Sequence, residues 1–277
     1  MDAPELVALL TGRRVSVLTG AGLSTDSGIP DYRGPDSPPA NPMTIRQFTS
    51  SREFRQRYWA RNHLGWRHMA RTEPNAGHRA LAALERAGVV AGIITQNVDL
   101  LHTKAGSRNV INLHGTYAQV VCLDCGQDMS RAALAEHLEA ANPGFTERAE
   151  KVGGLAVAPD ADAVVSDTES FRFIDCPRCG GMLKPDIVYF GESVAKEVVD
   201  QAYSLLDSSE ALLVAGSSLT VFSGYRFVRH AAARRIPVAI VNRGPTRGDD
   251  LATVKVDAGC SPILALLAEE LTASRLT

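Results

Sequence analysis

The sequence predicts an α/β fold: a Rossmann-like doubly wound parallel sheet carrying a small inserted four-cysteine zinc-binding module and a helical module. Three observations predict it. Short apolar runs such as Val15–Leu18, Val89–Thr95 and Ala211–Ala215 alternate with amphipathic stretches of helical length, the pattern of strands buried on both faces. The first run ends in Gly20-Ala21-Gly22, a corner where the backbone can turn tightly and approach a diphosphate beside a helix N-terminus. From about residue 118 to 183 the alternation stops and two Cys-x-x-Cys pairs appear.

Composition narrows the function. A chain of 277 residues with 45% hydrophobic content holds core enough for one large domain, or a large and a small one. A net charge of −2 argues against nucleic acid and anionic membranes as partners. No apolar run reaches the ~18 residues of a membrane span. Met1-Asp-Ala-Pro-Glu5 lacks the basic flank of a signal peptide, and no Arg-rich transit segment follows. The expected location is the cytoplasm.

Taken in order, Pro4–Leu10 reads as a helix with Leu6, Leu9 and Leu10 on one face, and Val15–Leu18 as the first strand. The glycine corner has Thr25 where the third glycine of a dinucleotide fingerprint would stand, and no acidic residue ends a second strand about 20 residues on. Instead a long polar loop carries Ser24, Ser27, Asp31, Tyr32 and Arg33, and long loops at strand ends are usually functional. Four prolines exclude regular structure from 34–42. Phe48–Met69 reads as one or two helices, and Asn75–Ala87 as another stopped by Gly88. Strands follow at Val89–Thr95 and Val110–Leu113, then a short helix near Arg131–Ala141. After an acidic Gly/Ala-rich segment at 153–170, strands are expected at Ile187–Phe190, Ala211–Ala215, Pro237–Val241 and Val254–Val256. Helices at Ala195–Leu206, Phe222–Arg234 and Ile263–Leu271 complete the pattern. Residues 1–117 and 184–277 thus make a discontinuous nucleotide-binding domain with a helical module at about 43–75. Residues 118–183 make the inserted module, itself carrying a loop insertion at about 145–172.

Cys122-Leu-Asp-Cys125 and Cys176-Pro-Arg-Cys179 are each followed by glycine, which is the form of two zinc knuckles sharing one tetrahedral ion. Disulfides or a redox dithiol are the competing readings; the absence of a secretory signal speaks against disulfides. Four thiolates leave no open position, so the zinc is structural. Cys260, the fifth, reads as a small buried residue.

The predicted strand ends carry Gly20-Ala21-Gly22, Gln96-Asn97-Val98-Asp99, His114-Gly115, Gly216-Ser217-Ser218, Asn242-Arg243-Gly244 and Cys260. In an open parallel sheet, ligands bind outside this edge, and small residues with side-chain amides suit phosphates and riboses. A lone histidine is more often structural than catalytic, but His114 lies at the ligand edge and has the side chain suited to base catalysis near neutral pH. The other six histidines fall in predicted helices or their flanks and read as structural or surface.

These residues carry a family resemblance. Gly20-Ala-Gly-x-Ser-x-x-Ser-Gly-Ile-Pro-Asp-Tyr-Arg33, Thr95-Gln-Asn-Val-Asp99, Leu113-His-Gly115, the two cysteine pairs, Lys184-Pro-Asp-Ile-Val-Tyr-Phe-Gly-Glu192 and Gly216-Ser-Ser-Leu219 resemble the sirtuins, NAD-dependent protein deacylases. Arg57-Tyr-Trp-Ala-Arg-Asn62, Ser223-Gly-Tyr-Arg-Phe227 and Gly244-Pro-Thr-Arg-Gly-Asp-Asp250 resemble the class II branch, and the missing transit peptide a bacterial member. Leu100 departs from the glycine common in relatives.

The resemblance implies that NAD is consumed: nicotinamide leaves, and the acyl group of a modified lysine passes to ADP-ribose. It implies His114 as the base toward the ribose hydroxyls, with Asn97 and Asp99 at the nicotinamide pocket beside Val98. It places Gln96 at the ribose, and Gly20, Ala21, Gly22, Ser24, Asp31, Tyr32 and Arg33 around phosphates and nicotinamide. Gly216, Ser217 and Ser218 would meet phosphate or ribose, Asn242, Arg243 and Gly244 the adenosine ribose, and Cys260 the adenine end. The implied partners are acyl-lysine proteins, with no membrane or nucleic acid, and the implied state is a monomer. Tyr58 and Arg61, three residues apart and so near one helical face, resemble a pair that reads acidic acyl chains; an Arg on a solvated face is the plain alternative. Mono-ADP-ribosylation at the same NAD site is a rival activity, and a zinc-ribbon nucleic-acid-binding regulator a more distant one.

Overall fold

The computed structural model describes residues 3–34, 42–151 and 168–273. From the N-terminus run α1 (Pro4–Leu10), β1 (Val15–Thr19), α2 (Ile45–Ser50), α3 (Arg52–Arg71), α4 (Ala76–Arg86), β2 (Val90–Thr95), α5 (Leu101–Lys104) and β3 (Val110–Asn112). The middle of the chain supplies β4 (Gly115–Cys122), β5 (Asp128–Ser130), α6 (Arg131–Ala141), α7 (Phe145–Lys151) and β6 (Leu183–Ile187). Last come α8 (Lys196–Asp207), β7 (Ala211–Ala215), α9 (Phe222–Ala233), β8 (Val238–Val241), β9 (Val254–Val256) and α10 (Cys260–Ala273).

The apolar runs pair as a parallel six-stranded sheet in the order β3-β2-β1-β7-β8-β9. Alternate residues of each strand serve opposite layers. Val15, Val17, Leu213, Ala215, Ala239 and Val241 pack on α1, α4 and α10. Leu18, Ile94, Leu212, Val214, Val238 and Ile240 pack on α8 and α9. Burying one such side chain contributes about 1.5–3 kcal/mol, which is why the strands read as largely apolar runs. Strand order reverses between β1 and β7, and the crevice of a doubly wound sheet opens at such a reversal.

A second sheet, β5-β4-β6, is antiparallel. Its strands extend past both ends of the 118–183 segment. With α2, α3 and α6 it encloses a separate core around Phe48, Tyr58, Trp59, Leu134, Leu183 and Tyr189. Arg131 is fully buried in this core region. Its guanidinium donates to Asn62 Oδ1 at 3.1 Å and lies 4.8 Å from the Trp66 ring centroid. Burial lowers its pKa to about 10, leaving it charged at neutral pH.

The expected strand at Ile187–Phe190 is corrected: the strand is Leu183–Ile187, and it belongs to the second sheet, with Pro185 opposite Val120. Lys184 and Pro185 hide it. Proline is tolerated because β6 is an edge strand. The lysine is buried because Nζ donates to Ile187 O at 2.5 Å and to Glu192 Oε2 at 2.9 Å. Phe190 forms only an isolated bridge with Thr44. The Phe48–Met69 region is two helices joined at Ser51, whose Oγ accepts from Phe54 N at 3.2 Å. Nearly all of the 153–170 segment lies outside the described residues, as do residues 35–41. Among the described residues no helix is long and apolar enough to cross a membrane.

Two buried histidines, one on α4 and one on α5, meet edge to face. The rings of His78 and His102 are 4.9 Å apart, and burial holds both in the neutral form, His78 down to about 4 and His102 well below the ordinary value. The unfolded chain binds protons at about pH 6.5, so it gains them before the folded chain does. Stability is therefore full above about pH 6.5 and declines as pH falls toward 4, by about 3 kcal/mol for His78 alone. Urea unfolding between pH 7.5 and 4.5 should show this decline, and His78→Leu should flatten part of it.

Candidate active site

The site begins at a close backbone contact. Gly22 N donates to Gly216 O at 2.9 Å. A Cβ on Gly216, which has φ +68°, would lie 2.2 Å from Leu23 N, and one on Gly20 would lie 2.8 Å from Gly216 O. With no side chains between them, the ends of β1 and β7 meet below a cavity of about 1070 Å³. The cavity is lined by Gly20, Ala21, Gly22, Ser24, Asp31, Tyr32, Arg33, Gln96, Asn97, Val98, Asp99 and His114 on one side of the reversal. Gly216, Ser217, Ser218, Asn242, Arg243 and Gly244 line the other. Cys260 lines an adjoining recess of about 210 Å³ with Asp26, Asn242 and Arg243. Its thiol is buried and, through burial, pushed up to about 12, so it serves by packing rather than as a nucleophile.

Buried hydrogen bonds set the polar residues. Ser24 Oγ donates to Asp99 Oδ2 at 2.6 Å, and Leu101 N donates to Asp99 Oδ1 at 2.9 Å. Asn97 Nδ2 donates to Gly20 O at 3.0 Å and to Ser24 Oγ at 3.1 Å. Burial raises the Asp99 pKa, and these donors work against that rise. Between Asp99 and α5, Leu100 stands at φ +64°, a left-handed conformation that costs a branched residue about 1–2 kcal/mol and glycine little. Gln96 Nε2 donates to Ser217 Oγ at 2.9 Å, bridging the two halves of the cavity.

His114 follows β3 and is held at both ring nitrogens. Nδ1 is 2.9 Å from Gln96 O and Nε2 is 2.8 Å from Ser223 Oγ. Burial lowers its pKa, the Gln96 carbonyl opposes this, and the Arg226 charge lowers it further. The ring is therefore neutral at pH 7, as a base must be.

Several lining residues have no role assigned from the sequence. The turn Ile187–Val194, clamped by Lys184–Glu192 and by Tyr189 N donating to Glu192 Oε2 at 2.7 Å, forms one wall. Ser223 and Arg226, one turn apart on α9, form another; the first turn of a helix that faces a parallel sheet's ligand edge is the signal that identifies them. Tyr58 and Arg61 do not line the cavity. Tyr58 is buried against Phe48 and Tyr189, with its hydroxyl 3.4 Å from that of Tyr117.

The Sγ atoms of Cys122, Cys125, Cys176 and Cys179 all lie within 4.8 Å of one another, with 122 to 179 at 3.5 Å and 125 to 176 at 3.8 Å. Tetrahedral Zn–S bonds of ~2.3 Å require sulfurs roughly 3.8 Å apart, so the donor set fits zinc. Each knuckle closes with a glycine at positive φ whose N–H returns to the first cysteine: Gly126 to Cys122 O at 3.0 Å and Gly180 to Cys176 O at 2.8 Å.

Two outcomes are expected. Elemental analysis should find zinc at one ion per chain, and chelation or Cys122→Ser should remove it and lower the melting temperature. Gly216→Ala should destabilise the chain by at least about 3 kcal/mol, from overpacking and the left-handed backbone together, measured by urea unfolding.

Residues 20–223 match the model of the Sir2 family. The chain is 78% identical over 271 residues to the NAD-dependent protein deacetylase 1 of Mycobacterium avium, covering 98% of this chain and 96% of that protein. It is 43% identical to the human mitochondrial NAD-dependent protein lipoamidase sirtuin-4, covering 95% of this chain and 85% of that one. A solved Sir2 structure with p53 peptide and NAD+ superposes with a TM-score of 0.78 at 29% identity over 100% of both chains. The chain belongs to the Sir2 family.

Proposed function

We infer that this chain is an NAD-dependent protein-lysine deacylase that releases nicotinamide and O-acyl-ADP-ribose. The single observation that carries the reading is His114, neutral and held at Nδ1 by a carbonyl, so that Nε2 carries the basic lone pair on a cavity spanning the strand-order reversal. Family membership and the names of the relatives agree with it. NAD supplies an activated glycosidic carbon, from which nicotinamide departs as the substrate's acyl oxygen bonds to it. Asn97 and Asp99, fixed by Ser24, hold the carboxamide end. Gln96 and Ser217 meet the ribose beside His114, while Ala21, Arg33 and Ser218 serve the phosphates. Asn242, Arg243 and the recess at Cys260 take the adenosine. His114 Nε2 removes a ribose hydroxyl proton, which frees that oxygen to attack the acyl carbon; general-base help of this kind is worth about 10²–10⁴-fold. Water then completes the exchange as the carbon–nitrogen bond breaks and the lysine amine leaves.

The division into a discontinuous nucleotide-binding domain, 1–117 and 184–277, and a zinc module at 118–183 is part of this reading, the module acting as scaffold. The four close thiols suit the reducing cytoplasm. Tyr58 and Arg61 lie off the cavity lining while the Ile187–Val194 wall is largely apolar, which favours a neutral acyl chain. Neither ADP-ribosyl transfer nor nucleic-acid binding gains support from the site, and the charge of −2 opposes the latter.

Purified enzyme with NAD and peptides bearing acetyl-, lipoyl-, succinyl- or methylglutaryl-lysine, read by mass spectrometry, tests this. A neutral acyl peptide should be cleaved with O-acyl-ADP-ribose formed, and His114→Ala should lose at least about 100-fold in rate. The acid limb of the wild-type rate should lie below pH 6.5, because the base stays neutral to lower pH than a free imidazole. Preference for the acidic peptides would move the acyl site to Tyr58 and Arg61. ADP-ribose accumulating on protein without deacylation would overturn the assignment.

A further inference from the structure

His114 is held by a residue to which the resemblance gave no role. The Gln96 carbonyl oxygen 2.9 Å from Nδ1 can only accept, so Nδ1 carries the ring hydrogen and Nε2 presents its lone pair. Ser223 Oγ is 2.8 Å from Nε2. With Nε2 an acceptor, the serine hydroxyl is the donor. The nitrogen that must receive the substrate's proton is thus engaged from the start by a group able to donate and to accept.

The surrounding turn is built for this contact. Ser223 is the second residue of α9, and Val221 is its N-cap. The next residue is Gly224, where a Cβ would lie 2.5 Å from the Gln96 side chain. One helical turn therefore holds Ser223 at Nε2 and leaves room for Gln96, whose carbonyl holds Nδ1. Arg226, on the same cavity wall, is the charged group that acts on the ring. A ring bonded at Nδ1 alone can pivot about that bond; one bonded at both nitrogens has a fixed plane.

We propose that Ser223 is a positioning residue for the deacylation reaction, keeping the His114 imidazole aimed at the ribose hydroxyls through both halves of its proton cycle. While the ring is neutral, Ser223 O–H donates to Nε2. As the ribose O–H bond breaks and the Nε2–H bond forms, the serine hydroxyl turns and its oxygen accepts from the new N–H. The serine neither gains nor loses a proton. When the imidazolium gives its proton up, the first arrangement returns. The proposal rests on the deacylase reading and adds to it a residue that acts through His114 rather than on substrate.

The test compares wild type, Ser223→Ala, Ser223→Thr and His114→Ala. In Ser223→Ala, kcat should fall about 10-fold, a part of what the base itself contributes, with KM for NAD little changed. Ser223→Thr keeps the hydroxyl and should restore most of kcat. A second readout needs no NAD: long-range ¹H–¹⁵N spectra of histidine-labelled protein, with His114 assigned by its loss in His114→Ala. The His114 Nε2 signal should move in Ser223→Ala and stay near its wild-type position in Ser223→Thr. Wild-type kcat in Ser223→Ala, or a threonine variant no better than alanine, overturns the proposal and leaves the deacylase reading intact. Full activity in His114→Ala would instead remove the reading on which it rests.

Discussion

The backbone contact between Gly22 and Gly216 is the constraint on which the rest depends. β1 and β7 are neighbours in the sheet, yet the chain leaves β1 toward Asp99 and leaves β7 toward α9. A Cβ at Gly216 would stand inside the Leu23 amide. Any side chain at this junction pushes the two exits apart, and every lining residue on either side moves with them. The cavity is therefore a consequence of two strands ending side by side with nothing between them. Elsewhere the parallel sheet needs only apolar side chains of suitable volume, which many sequences supply.

The buried polar network above that contact exacts a cost and limits it. A carboxylate as deeply placed as Asp99 is destabilised by lost hydration, and two strong donors, Ser24 Oγ and Leu101 N, offset part of the loss. Asn97 shares Ser24 and anchors on Gly20 O, so the amide and the carboxylate cannot move separately. One layer below, Thr19 Oγ1 donates to Thr95 Oγ1 at 2.9 Å, and His102 Nε2 lies 2.9 Å from Thr19 Oγ1. Side chains at the ends of β1 and β2 are thus polar where they meet the site and apolar one residue earlier. Rigidity of this kind is what a site needs when its selectivity comes from where its donors are held.

What could be read from the sequence, and what could not, follows from how local each signal is. Strands β1, β2, β7 and β8 were readable because burial on both faces writes a largely apolar run into four to six consecutive residues. The cysteine knuckles were readable because metal ligation prescribes spacing. β6 was not, because its buried lysine is made tolerable by Glu192, eight residues on, and its proline by an edge position that only the fold defines. β4 and β5 escaped for a similar reason: Gly115–Cys122 is half-buried along much of its length and carries no clean alternation. At the site, residues at strand ends could be named in advance. The contact made by Ser223 could not, since its partner His114 is 109 positions away. Tyr58 shows the converse. Helical spacing puts it and Arg61 near one face, but spacing says nothing about which core a face is turned toward.

The second sheet is where the zinc site and the candidate base are joined. β4 starts at Gly115, directly after His114, and ends at Cys122. β6 starts at Leu183, just past Cys179, and runs back to Ile187, where Val188 N donates to His114 O at 2.9 Å. The two strands cross so closely at Gly115 that a Cβ there would lie 2.1 Å from Asp186 O. The backbone of His114 is therefore framed by two strands whose opposite ends are tied by one four-sulfur cluster. Without that tie, β4 pairs with an edge strand that contains a proline, across a register shift between Gly115 and Val120, and such a pairing holds register poorly. A structural ion some eight residues from the base thus has a physical reason to be there: it fixes the register that fixes the main chain of His114, while Gln96 and Ser223 fix its ring.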